Sequence, residues 1–259
     1  MRLSFLRRFS GVASLGLVVA ALAATSPAYA STGVGQWNMD ESSGATTMVD
    51  SSPNGFDGTV FGAVVTGTNA GVSNRAADWA YRFNNDAACD SKTSTTTGSG
   101  YSVVTGGTVG ISSATRPTFN PGAQPFSFSA WIKSTATPGT GICDFDLIRK
   151  GGGWKMEMYP FRRVTQPNCF WKGVVNATHV KVGLHAALPK GAINDGSWHQ
   201  ITCQRTGAGE ELIVDGLTLA SSSVNVGSIK NTAHVVVAAQ AKGIDFFRGL
   251  MDDASFTVG

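Results

Sequence analysis

Residues 126–134 read FSFSAWIKS. Phe126, Phe128, Ala130 and Ile132 alternate with Ser127, Ser129, Trp131 and Lys133, so an extended chain places four apolar side chains on one face and polar groups on the other. Beyond the first thirty residues no run carries a 3.6-residue apolar period, and strand patterns recur instead. They include GQWNM, GTVFGAVVT, AYRFN, YSVVTG, DLIRKG, WKMEMY, NCFWKGVV, VKVGLHAAL, WHQITCQRT, ELIVDG, HVVVAAQ and GLMDDASFTV. Composition agrees: 32 glycines and only four glutamates disfavour helices and suit short strands joined by tight turns. The expected fold is all-β, an antiparallel two-sheet jelly-roll sandwich.

Two connections are specific. Asp215-Gly216 separates LIV from LTL as a two-residue type I′ turn, and TGAGE turns the chain between WHQITCQR and ELIVDG. Three consecutive antiparallel strands follow. The stretch 90–124 is rich in Ser, Thr, Gly and Pro, but YSVVTG within it reads as a strand. It is assigned to a loop-rich part of one domain spanning residues 31–259.

Residues 1–30 read as an export signal, with Arg2, Arg7 and Arg8 before the apolar run GLVVAALAA and AYA before Ser31. That run is shorter than the roughly 20 residues a membrane span needs. Three of the 20 basic residues and none of the 17 acidic ones lie there, so the formal charge of +3 belongs to the signal. The balanced remainder argues against a nucleic-acid partner or an anionic membrane surface. A secreted monomer without a membrane anchor is expected.

Cys89, Cys143, Cys169 and Cys203 are even in number, and in an exported chain they predict two disulfides. None of their spacings resembles a zinc site, and all three connectivities are open. From Asp50 the chain continues SSPNGFDGTVF to residue 61, which places Asp50, Ser52, Asn54 and Gly55 as at the start of an EF-hand loop. Phe61 stands where the bidentate Glu would be, so this is not an EF-hand. Asn54-Gly55 and Asp57-Gly58 also suit two tight turns without any ion.

Taken in order, the opening Trp strand, Asp50 with SSPNGFDG, then FSFSAWIK, DLIRKG, DGSWHQITC, LIVDG and FRGLMDDASF resemble the laminin G-like, concanavalin A-like jelly-roll domains of secreted bacterial proteins. The resemblance runs over residues 33–258. It implies a Cys169–Cys203 disulfide, which leaves Cys89 with Cys143. It also matches Asp252-Asp253 to the acidic pair of the final strand, where the second residue is usually Glu. At period two, Asp252 shares a face with Leu250, Ala254 and Phe256. The family's first and last strands are neighbours, so the resemblance implies that Asp252 approaches the opening turn. Asp50, Asn54, Asp57 and Asp252 are therefore the expected ligands of a Ca2+ ion.

Aromatic residues and charges cluster within residues 151–172: Trp154, Tyr159, Phe161, Phe170 and Trp171, with Lys155, Glu157, Arg162 and Arg163. Flat rings that stack on sugars, beside polar groups for the hydroxyls, predict a carbohydrate site on Tyr159, Phe161 and Trp171, with Trp154 in the core. Catalytic signals are weak. Asp144 and Asp146 share a strand face without an accompanying Glu, and Glu41, Glu157, Glu210 and Glu211 offer no strand motif of two Glu around an Asp. His179, His185, His199 and His234 are scattered. The expected function is a secreted non-catalytic module that binds carbohydrate or a cell-surface or matrix ligand. The alternative is a polysaccharide lyase or glycoside hydrolase of the same fold.

Overall fold

The computed structural model describes residues 32–83, 101–104, 119–138, 144–162, 164–240 and 245–259. The expected signal, Cys89, Cys143 and Arg163 lie outside the described residues. The first strands are β1 (Thr32–Trp37), β2 (Thr47–Met48), β3 (Gly58–Phe61), β4 (Val64–Ala70), β5 (Trp79–Phe83) and β6 (Tyr101–Val104). Then come β7 (Phe126–Lys133), β8 (Phe145–Lys150), β9 (Trp154–Phe161), β10 (Val164–Val175) and β11 (Thr178–His185). The series ends with β12 (Trp198–Arg205), β13 (Glu210–Val214), β14 (Leu217–Ser222), β15 (Val235–Val237) and β16 (Gly249–Val258).

They form two antiparallel sheets. Sheet A has the order β14-β13-β12-β7-β16-β5-β4, with β1 also on β16, and sheet B has the order β11-β10-β9-β8-β15-β6-β3-β2. The start of β16 pairs with β5 and its end with β1, while β7 runs along its other edge. As its alternation predicts, β7 buries Phe126, Phe128, Ala130 and Ile132. Those rings meet Trp154 and Trp171 of sheet B, with the Phe128 and Trp154 centroids 4.6 Å apart. Removing each such side chain from water contributes about 1.5–3 kcal/mol. Cys169 on β10 is disulfide-bonded to Cys203 on β12, which ties sheet B to sheet A.

Three local expectations change or hold in instructive ways. GTVFGAVVT is two strands, because Gly62 at φ 69° turns the chain after β3 in sheet B and sends β4 into sheet A. The Asp215-Gly216 hairpin forms as expected, with φ of 50° and 78°. In β16 the period-two alternation breaks. Asp253 adopts φ 44° and the β7 register shifts between Asp252 and Ser255, the mark of a bulge. Met251, Ala254 and Phe256 face the core, and Asp252 pairs across from Trp131 on the outer face.

Candidate functional site

The face of sheet B turned away from the core is built by alternation on three adjacent strands. On β9, Trp154, Met156 and Met158 enter the core, so Lys155, Glu157 and Tyr159 point outward. Register then brings together residues that are far apart in sequence. Asp146 on β8 pairs with Glu157, Glu157 with Asn168 on β10, and Asn168 with His185 on β11. The missing glutamate is thus supplied from across the sheet, correcting the expectation that Asp144 and Asp146 stand without one. Oxygens of Asp144, Asp146 and Glu157 all lie within 4.8 Å of one another.

Lys155 sits inside this acidic group. Its Nζ donates to Asp144 Oδ2 at 2.8 Å and to Glu157, and lies 3.8 Å from Asp146 Oδ1. Arg149 donates to Asp146 and, at 2.8 Å, to Gln240 Oε1, while Asn168 donates to Glu157. Asp245 and Phe246 run beside Asp146, whose N–H donates to the Asp245 carbonyl at 2.9 Å. Asp146 is wholly buried.

The environments push these acids apart. Burial, with the Asp144 carboxylate close by, raises Glu157 to about 9, and burial beside Asp144 and Asp146 raises Asp245 to about 7. Burial outweighs Arg149 and Lys155 at Asp146, which rises to about 6. Burial would also raise Asp144, but the bond from Glu157 and the Lys155 ammonium hold it below its ordinary value. Burial alone would lower Lys155; its three acidic neighbours keep it above the usual range. Near neutral pH, two carboxylates face two cations beside a protonated Glu157. The ammonium occupies the place a metal ion would need.

Around this network stand half-buried rings. The Phe161 ring centroid is 4.4 Å from that of His185, and the Arg162 guanidinium lies 5.2 Å from the Phe161 centroid. Tyr159 and Phe170 are also half-buried on this face. Trp171 is not part of it. It is fully buried, 6.5 Å from Phe128 between ring centroids, because it shares the inward face of β10 with Cys169. That parity is visible in the sequence: once Cys169 bonds to the opposite sheet, the residue two positions on must point the same way.

The expected calcium ligands fall into two separate places. Asp50 is saturated by its own turn and by β1, accepting from Ser52 N (2.9 Å), Ser52 Oγ (2.8 Å) and Phe56 N (2.7 Å) and from Gln36 N (2.8 Å). Asp57 accepts from Asp50 N at 2.8 Å, and Asn54 Nδ2 donates to the carbonyls of Gly33 and Val34 at 3.1 and 3.0 Å. Asp252 lies on the far side of the bulge, accepting from Val72 N at 2.7 Å and Asp253 N at 2.9 Å. The opening turn therefore does not meet Asp252.

Asp252 instead joins the turn between β4 and β5. A Cβ on Gly71 would lie 2.5 Å from Asp78 Oδ1 and 2.6 Å from Asp252 Oδ2, so glycine alone lets both carboxylates converge there. Burial, reinforced by Asp253 and Asp78, raises Asp252 to about 7. Burial, with Asp78 and Asp40 nearby, raises Asp253 as well. Among the described residues the ion pairs involve Arg149, Lys155 and His199, and none includes these four carboxylates. Asp78 and Asp252 thus converge as an oxygen-only pair, the kind of donor a hard divalent cation takes, whereas among the described residues the group of three acids with mutually close oxygens is Asp144, Asp146 and Glu157. The sequence contained no signal for Asp78, which reaches Asp252 only through the pairing of β4, β5 and β16, or for Asp40, which comes near Asp253.

Comparison with solved structures shows the same fold in distant proteins. The binding domain of botulinum neurotoxin DC, solved with rat synaptotagmin II, has a TM-score of 0.57 and 12% identity, covering 86% of this chain and 47% of that one. The same toxin's binding domain with SialylT has a TM-score of 0.53 at 14% identity, covering 84% and 48%. Domain 4 of AbnA, a GH43 extracellular arabinanase from Geobacillus stearothermophilus in complex with arabinotriose, has a TM-score of 0.51 and 14% identity, covering 88% and 93%. The chain spans about half the length of the toxin domains and nearly all of the arabinanase domain. No curated protein sequence matches it. The Laminin_G_3 family model matches residues 105–257, and the chain belongs to the Concanavalin A-like lectin/glucanases superfamily.

Proposed function

We propose that the protein is a secreted, non-catalytic binding module whose ligand is a carbohydrate of a cell surface or matrix. The observation that carries this is the Lys155 ammonium bonded to both Asp144 and Glu157. A glycosidase needs two carboxyls flanking an open space of roughly 5–9 Å for the scissile bond. Here the acids are closer and a lysine fills the gap. The half-buried Tyr159, Phe161 and Phe170 beside them offer ring faces of the kind that stack on sugars. The Cys169–Cys203 bond supports an extracellular setting. The arabinanase domain seen with arabinotriose is a precedent in fold for sugar binding.

Calcium enters as a structural ion. Asp78 and Asp252, which converge at Gly71, would hold it, neutralising their mutual repulsion and pinning the β4–β5 turn to β16.

A hydrolase reading has one observation in its favour: Glu157 held protonated beside Asp144 held ionised, the pattern of an acid and base pair. Incubation with a polysaccharide panel, scoring both retention and released reducing or unsaturated ends, separates the two. Retention without products is expected. Products that disappear in Glu157→Gln would overturn the binding reading in favour of catalysis.

A further inference from the structure

On sheet A, at the start of β16 and two residues before Asp252, lies a basic pocket of about 460 Å³. Arg82 on β5 and Lys133 on β7 both pair with Leu250 on β16, so they stand on either side of it in one row of sheet A. Strands are about 4.8 Å apart, which sets the two backbones about 10 Å from each other. Long side chains spanning that gap can converge on one group above Leu250. Arg248, Ser134, Thr135 and Gly196 line the remaining wall.

Among the described residues no carboxylate lines this pocket. Arg82 is oriented by Asn69, whose Oδ1 accepts from Nε at 3.1 Å and Nη2 at 2.8 Å. An amide can fix the guanidinium without neutralising it. Among the described residues neither Arg82 nor Lys133 belongs to an ion pair. Asp195, next to Gly196, is turned away to Ser197 N and His199. Asp252, two residues beyond Leu250, does not line the pocket; its carboxylate accepts from Val72 N at 2.7 Å in the β4–β5 turn.

The geometry points to an anion subsite between β5, β16 and β7 that takes the carboxylate of a uronic acid or the sulfate ester of an acidic polysaccharide. Arg82 supplies a planar fork for the oxyanion and Lys133 a mobile point charge, a combination suited to recognising a charged group on a larger ligand. The apolar Leu250 floor and the hydroxyls at the rim match the rest of a sugar ring. The polysaccharide part of this assignment rests on the carbohydrate reading above; the anion site itself does not.

The test uses affinity electrophoresis of the full mature chain through polygalacturonate, dextran sulfate and unmodified dextran, with inorganic sulfate as a second probe in thermal melts. Retardation by an acidic polymer is expected to fall about tenfold in Lys133→Gln and further in the Arg82→Gln/Lys133→Gln pair. Lys230→Gln, an exposed charge far from the pocket, is expected to behave as wild type. Lys133→Gln breaks no hydrogen bond or ion pair among the described residues, so it serves if the double variant does not fold. Equal retardation of wild type and Lys133→Gln, or an equal loss in Lys230→Gln, would overturn the subsite. Retardation by dextran alone would also overturn it while leaving the carbohydrate reading intact. If no polymer is retained, the carbohydrate reading fails. Sulfate then decides the pocket: a melt raised in wild type but not in Lys133→Gln sustains an anion site, and no shift removes it.

Discussion

Asp146 on β8 and Glu157 on β9 are direct cross-strand partners, and the Lys155 ammonium reaches both, bonded to Glu157 and 3.8 Å from Asp146. Like charges placed opposite one another in a sheet repel. Here the repulsion is removed by protonating one acid and pairing the others. Lys155→Met should therefore destabilise the fold by about 3–5 kcal/mol at pH 7, since it strands buried carboxylates. In urea titrations the deficit should begin to shrink as pH falls through about 6, where Asp146 takes up its proton, and shrink further below the ordinary aspartate range, where Asp144 follows. A deficit independent of pH would mean that lost packing, not stranded charge, is responsible.

Calcium should act through the Asp252 group and not through the opening turn. Added Ca2+ is expected to raise the melting temperature and chelator to lower it, with about 2.7 kcal/mol gained at a hundredfold excess over Kd. Asp78→Asn should abolish the shift. Asp50→Asn should lower stability, because four hydrogen bonds converge on that carboxylate, yet keep the calcium response. The opposite pattern would return the ion to the opening turn.

His199 joins two connections: its Nδ1 is 2.8 Å from Asp215 in the β13–β14 turn, and its Nε2 is 3.2 Å from Asp195. Burial would lower its pKa, but the hydrogen bonds to Asp215 and Asp195 outweigh it and the net shift is upward. A raised folded-state value means the stabilisation is full below the unfolded pKa of about 6.5 and is lost as pH rises through the folded one. Wild type and His199→Asn should thus differ most in melting temperature near pH 5 and converge in mildly alkaline solution. A constant gap across that range would remove the charge from the explanation.

Two aromatic residues from the same stretch should behave in opposite ways. Trp171→Ala removes a fully buried ring and should cost about 3–5 kcal/mol of stability. Phe161→Ala, at a half-buried rim position, should cost far less but weaken retention on polysaccharide gels. Unchanged retention together with a small stability loss would remove Phe161 from the ligand face.

Alternation alone determined much of this protein. The apolar face of FSFSAWIKS, the Asp215-Gly216 turn and the inward placement of Trp154 follow from period two and from the positive φ that particular residues tolerate, so they were legible one strand at a time. The Cys169–Cys203 bond was legible only through resemblance, because spacing leaves the connectivity open. What the tertiary structure decided is which strands lie side by side, and at what register. Pairing of β8 with β9 delivered Glu157 to Asp146, and pairing of β16 with β5 and β7 set Arg82 and Lys133 around Leu250. The bulge at Asp253 turned Asp252 away from the face its alternation implied and toward the turn that carries Asp78. Strand order and bulges arise from packing two sheets over one core, a cooperative property of the whole chain. No single segment encodes it, so the candidate sites became readable only once the sheets were assembled.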